Sequence, residues 1–142
     1  MMSSMEDAVA RFDDGNSCAQ AVFTTYAEKL GMDRQTALKV SAGFGGGMGR
    51  MAGTCGALTG AFMALGLKYG GPDSKSKDKT YELVRKLADR FRARHGSLEC
   101  RELLGCNLST PEGRKHAIEQ RLHSTVCTQI VRDAAEILEE LL

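Results

Sequence analysis

Apolar residues recur along most of this chain at intervals of three or four positions, which is the spacing of one helix face. Between residues 17 and 30, for example, Ala19, Val22, Phe23 and Tyr26 follow this repeat. No segment of any length alternates apolar and polar residues as a half-buried strand would. The pattern predicts helices over residues 5–12, 17–30, 33–40, 55–69, 81–91, 97–104 and 110–141.

Residues that start and stop helices frame these segments. Helix N-caps favour Ser, Thr, Asp and Asn, whereas Gly is common just after the last turn. The break at 70–73 and the polar residues 74–79 indicate a solvated surface segment before the long helix. We therefore predict an all-α fold, a compact bundle of six or seven helices in a single domain over residues 1–142. The candidate caps are Asn16 or Ser17, Asp33, Thr54, Ser97 and Thr110, and the candidate stops are Gly31, Gly96 and Gly105.

Residues 43–53 form a Gly-rich stretch, with six glycines in eleven positions, before the central helix. This much Gly would weaken a helix interior, so a loop is predicted. Its N–H groups could form an anion-binding nest, or its glycines could let the backbone pack tightly against helices. Residues 47–52 fit a dinucleotide-binding GxGxxA, but no strand precedes them. Gly56, Gly60 and Gly66 indicate close approach of another helix.

The net charge, the N-terminal residues and the length of the apolar runs argue against several classes of function. The net charge of 142 residues is +1, and acidic and basic residues are interleaved without a basic stripe, which argues against nucleic-acid binding. The first twelve residues contain acidic side chains and lack the apolar core of a secretory signal. No apolar run approaches the roughly 20 residues of a membrane span. We expect a cytoplasmic protein.

Five cysteines are the chain's most informative side chains. Cytoplasmic cysteines are mostly catalytic, metal-binding or buried as small hydrophobes. Cys18, Cys55 and Cys100 fall in the first turn of predicted helices, where free N–H groups and the helix dipole stabilise a thiolate. The sequence therefore predicts a lowered pKa for these three thiols.

The other two cysteines differ from these three. Cys127 is predicted inside the last helix and buried. His123 stands four residues earlier, so the two could supply a pair of metal ligands or an imidazolium beside a thiolate, or simply be an exposed histidine next to a buried cysteine. Cys106 follows Gly105 in a loop and is predicted to be the solitary thiol. No CxxC or CxxCH occurs, so sequence spacing indicates neither a thioredoxin-type motif nor c-type haem.

The order of these features resembles the C_GCAxxG_C_C family of redox-active proteins. Cys18 is followed by GGGMGRMAGTCGALTG, then by Cys100 in ECRELLG, and finally by Cys127. The central motif stands as Cys55-Gly56-Ala57-Leu58-Thr59-Gly60. The resemblance covers about residues 16–138 and implies that Cys18, Cys55, Cys100 and Cys127 are the characteristic set, with Cys106 outside it. It also implies a link to a transport system.

Three functions remain open at this point. The first is thiol–disulfide exchange with a redox partner protein, in which Cys55 attacks and pairs with Cys18 or Cys100, and no cofactor is required. The second is binding of zinc or an iron–sulfur cluster by Cys18, Cys55, Cys100 and Cys127, with His123 as a further candidate ligand. The third is a non-enzymatic interaction module beside a transporter, and a homodimer is compatible with each.

Overall fold

The computed structural model describes residues 3–142 and confirms the all-α prediction. It contains eight α-helices, seven of them with seven residues or more, and no strand over the described residues. A 3-10 turn at Ala42–Phe44 leads into the Gly-rich loop, and a π-helical turn at His123–Cys127 leads into the last helix. The helices are α1 Ser4–Asp13, α2 Cys18–Lys29, α3 Arg34–Ser41, α4 Gly56–Tyr69, α5 Ser74–His95, α6 Cys100–Leu104, α7 Pro111–Glu119 and α8 Thr128–Leu141.

Three of the predicted N-caps are confirmed. The Ser17 hydroxyl accepts a hydrogen bond from the Gln20 N–H, and the Gln20 side chain accepts one in return from the Ser17 N–H. This reciprocal pair fixes the start of α2 at Cys18. Asp33 caps α3, and Thr110 caps α7 with a proline at the first helical position.

The other two predicted caps, Thr54 and Ser97, are wrong. Thr54 forms an isolated antiparallel bridge with Glu99, so its backbone is extended and Cys55 becomes the N-cap of α4. Glu99 is likewise the N-cap of α6, which begins at Cys100, whereas the Ser97 hydroxyl accepts only from the Glu99 N–H. A contact between residues 45 positions apart therefore overrides the local cap signals.

Two further boundaries differ from the prediction. Residues 74–79 are the exposed first turns of α5, because Asp73 accepts a hydrogen bond from the Ser76 N–H and starts the helix there. The predicted helix 110–141 is instead divided into α7, the π-helical turn and α8. Arg121, at φ +54, breaks the helix, since L-residues in this conformation cannot continue a right-handed helix.

The core is built around α2 and α4. Helix α2 is buried on nearly all sides from Ala19 to Ala27, whereas α5 presents a single stripe, Leu83, Leu87 and Phe91, to the same core. Helix α8 adds a broader apolar face from Ile130 to Leu138. No helix within residues 3–142 has both the length and the apolar character needed to cross a membrane.

Glycines bring α2 and α4 into close contact. A Cβ on Gly60 would lie 2.7 Å from the Ala19 carbonyl oxygen, and one on Gly56 would lie 3.1 Å from the Ala19 nitrogen. The prediction of close helix packing is therefore confirmed for Gly56 and Gly60, but Gly66 has nothing within 4 Å of its Cβ position. This packing places Cys18, at the start of α2, beside the start of α4 at Cys55.

Candidate functional site

Four cysteines from four parts of the chain line one cavity of about 720 Å³. They are Cys18, Cys55, Cys100 and Cys127, the set that the sequence singled out. The thiols also affect one another electrostatically, because ionisation of Cys18 is disfavoured by each of the other three. All five cysteines of the chain are free thiols in this structure.

Backbone hydrogen bonds hold Cys55 and Cys100 side by side. The Cys55 N–H donates to the Leu98 carbonyl at 2.8 Å, and the Cys100 N–H donates to the Gly53 carbonyl at 2.6 Å. These two bonds flank the Thr54–Glu99 bridge. The Arg101 guanidinium adds hydrogen bonds to the Ala52 and Met51 carbonyls, so α6 is attached to the end of the Gly-rich loop.

The Gly-rich loop has an unusual left-handed backbone. Five successive residues, from Gly46 to Arg50, have φ between +60 and +72, and three of the five are glycines. Met48 and Arg50 adopt this conformation although it costs an L-residue roughly 1–2 kcal/mol. A Cβ at Gly47 would lie 2.5 Å from the Gly53 nitrogen, so the loop also closes tightly on itself. Strain of this kind clusters at functional sites.

An anion nest, one of the two alternatives for this loop, would lack five of the loop's N–H groups. The N–H groups of Met48, Arg50 and Met51 donate to the carbonyls of Phe44, Gly45 and Met48. Those of Ala52 and Gly53 donate to Gly46 and Gly47. These five donors are occupied by the loop's own backbone.

A hydrogen bond between the thiols of Cys18 and Cys127 couples their ionisation. This bond is the main cause of a raised pKa at Cys18, and burial raises it further. The same bond lowers the pKa of Cys127, although partial burial opposes the effect. The pair is therefore polarised, with the thiolate favoured on Cys127 and the proton kept on Cys18. Cys127 was predicted to be buried, whereas in the structure it is half-buried.

The pKa values of Cys55 and Cys100 contradict the prediction from helix termini. Burial raises the pKa of Cys55 to about 12, although the nearby backbone N–H groups of Ala57 and Leu58 act to lower it. Burial likewise raises the pKa of Cys100 to about 11. The predicted lowering at Cys18, Cys55 and Cys100 is wrong. Loss of hydration is the main cause of the raised pKa at Cys55 and Cys100, and the hydrogen bond with Cys127 is the main cause at Cys18.

The sequence also matches a known protein family. Residues 16–141 match the family described as "Putative redox-active protein (C_GCAxxG_C_C)". The chain belongs to the C_GCAxxG_C_C family. Searches of the curated proteins and of the solved structures returned no match. In this member of the family the four cysteines, separated by up to 109 positions in the sequence, line a common cavity.

The sequence suggested that His123 could act on Cys127. In the structure His123 lines the cavity, and its ring packs on Phe12, with centroids 3.9 Å apart and an interplanar angle of 15°. The pKa of Cys127 is lowered by Cys18 and not by an imidazolium.

Cys106 lies beyond the cavity-lining residues, in the turn after α6. Burial raises its pKa, and the nearby Cys127 raises it further. Cys106 is thus an outlying neighbour of the C_GCAxxG_C_C cysteines. Among the residues described here, no three His, Cys, Asp or Glu side chains are grouped as they would be around a metal ion.

Two cavity residues, Arg50 and Arg114, were missed in the sequence. Arg50 stands in the Gly-rich loop, and Arg114 projects from α7, where its guanidinium donates to the Leu108 carbonyl at 2.9 Å. A charged residue among six glycines was a signal for Arg50. Nothing in the local sequence distinguishes Arg114, because only the tertiary fold carries α7 to the C_GCAxxG_C_C cysteines.

Proposed function

We propose that this protein carries out thiol–disulfide exchange, with Cys127 as the attacking thiol and Cys18 as its resolving partner. This assignment is supported by the position of both thiols in the wall of one cavity and by the hydrogen bond between them, which lowers the pKa of Cys127 and raises that of Cys18. A thiolate is the nucleophile in exchange, and its fraction at neutral pH increases as the pKa falls. The half-buried Cys127 also has surface that a disulfide can reach.

The proposed reaction has two steps. The Cys127 thiolate attacks one sulfur of a disulfide, forms a mixed disulfide and releases the other sulfur as a thiolate. Cys18 then loses its proton to a departing thiolate and attacks the Cys127 sulfur. The protein disulfide Cys18–Cys127 forms, and the second substrate thiolate leaves. The protein pair is oxidised by two electrons, and the substrate disulfide is reduced to two thiols.

The sequence suggested Cys55 as the attacking thiol, but this proposal does not give it that role. With a pKa of about 12 and 6% exposure, its thiol is almost entirely protonated at neutral pH and largely closed to large disulfides. We propose that Cys55 and Cys100 remain thiols during the first oxidation. If Cys55 were the attacking residue, it would be oxidised first. Variants with a single cysteine replaced therefore distinguish the two assignments.

The test is stopped-flow reaction with hydroxyethyl disulfide, with each product identified by intact mass. Wild type should release two thiols and end without an adduct. Cys18→Ser should stop at the mixed disulfide on Cys127, and Cys127→Ser should lose at least about tenfold in rate, since the favoured thiolate is gone. Cys55→Ser and the control Cys106→Ser should retain the reaction. Loss of the reaction in Cys55→Ser but not in Cys127→Ser would overturn the assignment.

A further inference from the structure

The cavity beside the thiols has the charge character of a site for a small anion. Two arginines, Arg50 and Arg114, line it together with the four cysteines, and none of the described lining residues is Asp or Glu. Its volume of about 720 Å³ is within the range of roughly 300–1,000 Å³ that is usual for small-molecule sites.

The two arginines are also free of competing carboxylates. Neither Arg50 nor Arg114 forms an ion pair with any carboxylate in residues 3–142, whereas Arg11, Arg90 and Arg94 each do. Arg114 is partly buried and is held by its hydrogen bond to the Leu108 carbonyl, which leaves its other guanidinium nitrogens available. Guanidinium groups bind carboxylates with paired, charge-assisted hydrogen bonds.

One side of the cavity is rich in leucine and isoleucine. Leu103, Leu104, Leu108 and Leu122 line it, and Ile118, whose side chain is 77% exposed, stands at its edge. Such a wall accommodates the carbon and sulfur atoms of a small disulfide, while the arginines receive its charged ends.

We infer that the substrate of the Cys127 thiolate is a low-molecular-weight disulfide with carboxylate groups, held by Arg50 and Arg114. This inference rests on the proposed exchange function and adds the class of its substrate. The covalent steps are those given above: Cys127 forms a bond to one sulfur, the substrate disulfide breaks, and a carboxylate-bearing thiolate leaves. The arginines bind and orient the substrate and take no part in proton transfer.

Charge selectivity of the exchange tests this inference. The probes are three disulfides with the same two-carbon arms, namely dithiodipropionate, hydroxyethyl disulfide and cystamine, which are anionic, neutral and cationic. A thiolate alone reacts faster with the cationic probe because opposite charges attract, so a preference for the anion must come from the cavity. We expect dithiodipropionate to react about tenfold faster than cystamine at low salt, and the preference to shrink as salt rises.

Three variants assign the selectivity to residues. Arg114→Gln and Arg50→Gln should each reduce the dithiodipropionate-to-cystamine ratio by about threefold or more, a charge effect of the size seen at partly exposed sites. Lys115→Gln is the matched control, because Lys115 neighbours Arg114 on α7, lies outside the cavity lining and is paired with Glu119. In Lys115→Gln the dithiodipropionate-to-cystamine ratio should equal that of wild type. Arg50 is exposed, so its variant remains informative if Arg114→Gln fails to fold.

The outcomes separate this inference from the proposed function. Exchange with all three probes at equal rates, or fastest with cystamine, would overturn the anionic substrate and leave thiol–disulfide exchange standing. An anion preference that Lys115→Gln removes as fully as Arg114→Gln would also overturn it. No reaction with the neutral probe at Cys127 would overturn the exchange function itself.

Discussion

Cys55 shows how burial competes with helix capping at a single residue. As the N-cap of α4 it lies near the Ala57 and Leu58 N–H groups, which favour the thiolate. Its side chain is nevertheless 6% exposed, and the loss of hydration raises the pKa to about 12. Cys127, which is less buried and accepts a hydrogen bond from another thiol, shifts in the opposite direction. Ionisation therefore follows hydration and hydrogen-bond donors more closely than position in a helix.

The rate of iodoacetamide alkylation against pH measures this difference directly. In wild type, Cys127 should react with an apparent pKa below that of an ordinary thiol, and Cys55 should react only at strongly alkaline pH. Cys18→Ala removes the hydrogen-bond donor, so the apparent pKa of Cys127 should rise. Cys18→Ser retains a donor and should preserve most of the lowering. Equal apparent pKa values in these two variants would show that the Cys18 hydrogen bond is not the cause.

The four cysteines that line the cavity could be selected from the sequence, but their ionisation could not be predicted from it. Cys18, Cys55, Cys100 and Cys127 could be selected from the sequence because their order matches the family. The lowered pKa predicted for Cys55 assumed an exposed helix start, and exposure depends on which distant segments cover that start. Leu98 and Glu99 cover it here, and the sequence around Cys55 contains no sign of them.

At the scale of elements, close packing of α2 on α4 determines where two of the cysteines lie. The Ala19 backbone rests on Gly56 and Gly60, so the first turns of these helices are in contact. The repeat of small residues in α4 predicted this packing, because small residues on one face of a single helix are enough to indicate close approach of another helix. The start of α4 was predicted one residue early, because Thr54 pairs with Glu99 and leaves the cap position to Cys55.

Gly60→Ala should lower the free energy of unfolding by about 1–3 kcal/mol, because its Cβ would overlap the Ala19 carbonyl oxygen in a tightly packed contact. The matched control is Gly66→Ala in the same helix, where nothing lies within 4 Å of the Cβ position. That change should stabilise the protein by about 0.5–1 kcal/mol, since alanine favours the helix. Urea unfolding followed by circular dichroism gives both values. Similar effects at the two positions would contradict the packing account.

Across the whole molecule, the fold joins the beginning and the end of the chain at the proposed redox pair. Cys18 begins α2, whereas Cys127 ends the π-helical turn before α8, 109 positions later. The sequence predicted the all-helical fold from its periodicity, but a single helix over residues 110–141 was expected. The break at Arg121 and the π-helical turn determine the position of Cys127. Both depend on tertiary packing, which the repeat of apolar residues does not reveal.

Oxidation of this pair should stabilise the protein, because a disulfide across so long a loop restricts the unfolded chain. The chain-entropy argument gives about 4–5 kcal/mol for a loop of this size, and measured effects are typically about 2–4 kcal/mol. Urea unfolding of the reduced protein and of the protein oxidised by hydroxyethyl disulfide should show this gain. A Cys18→Ala/Cys127→Ala double variant treated alike should show no gain. An equal gain in the double variant would place the stabilising disulfide elsewhere.

The most direct test of the account is the identity of the first disulfide that forms. Protein oxidised with a limiting amount of hydroxyethyl disulfide would be alkylated, digested without reduction and mapped by mass spectrometry. The account predicts a peptide that links Cys18 to Cys127, with Cys55 and Cys100 recovered as alkylated thiols. A first disulfide that contains Cys55, with Cys127 left as a thiol, would contradict it.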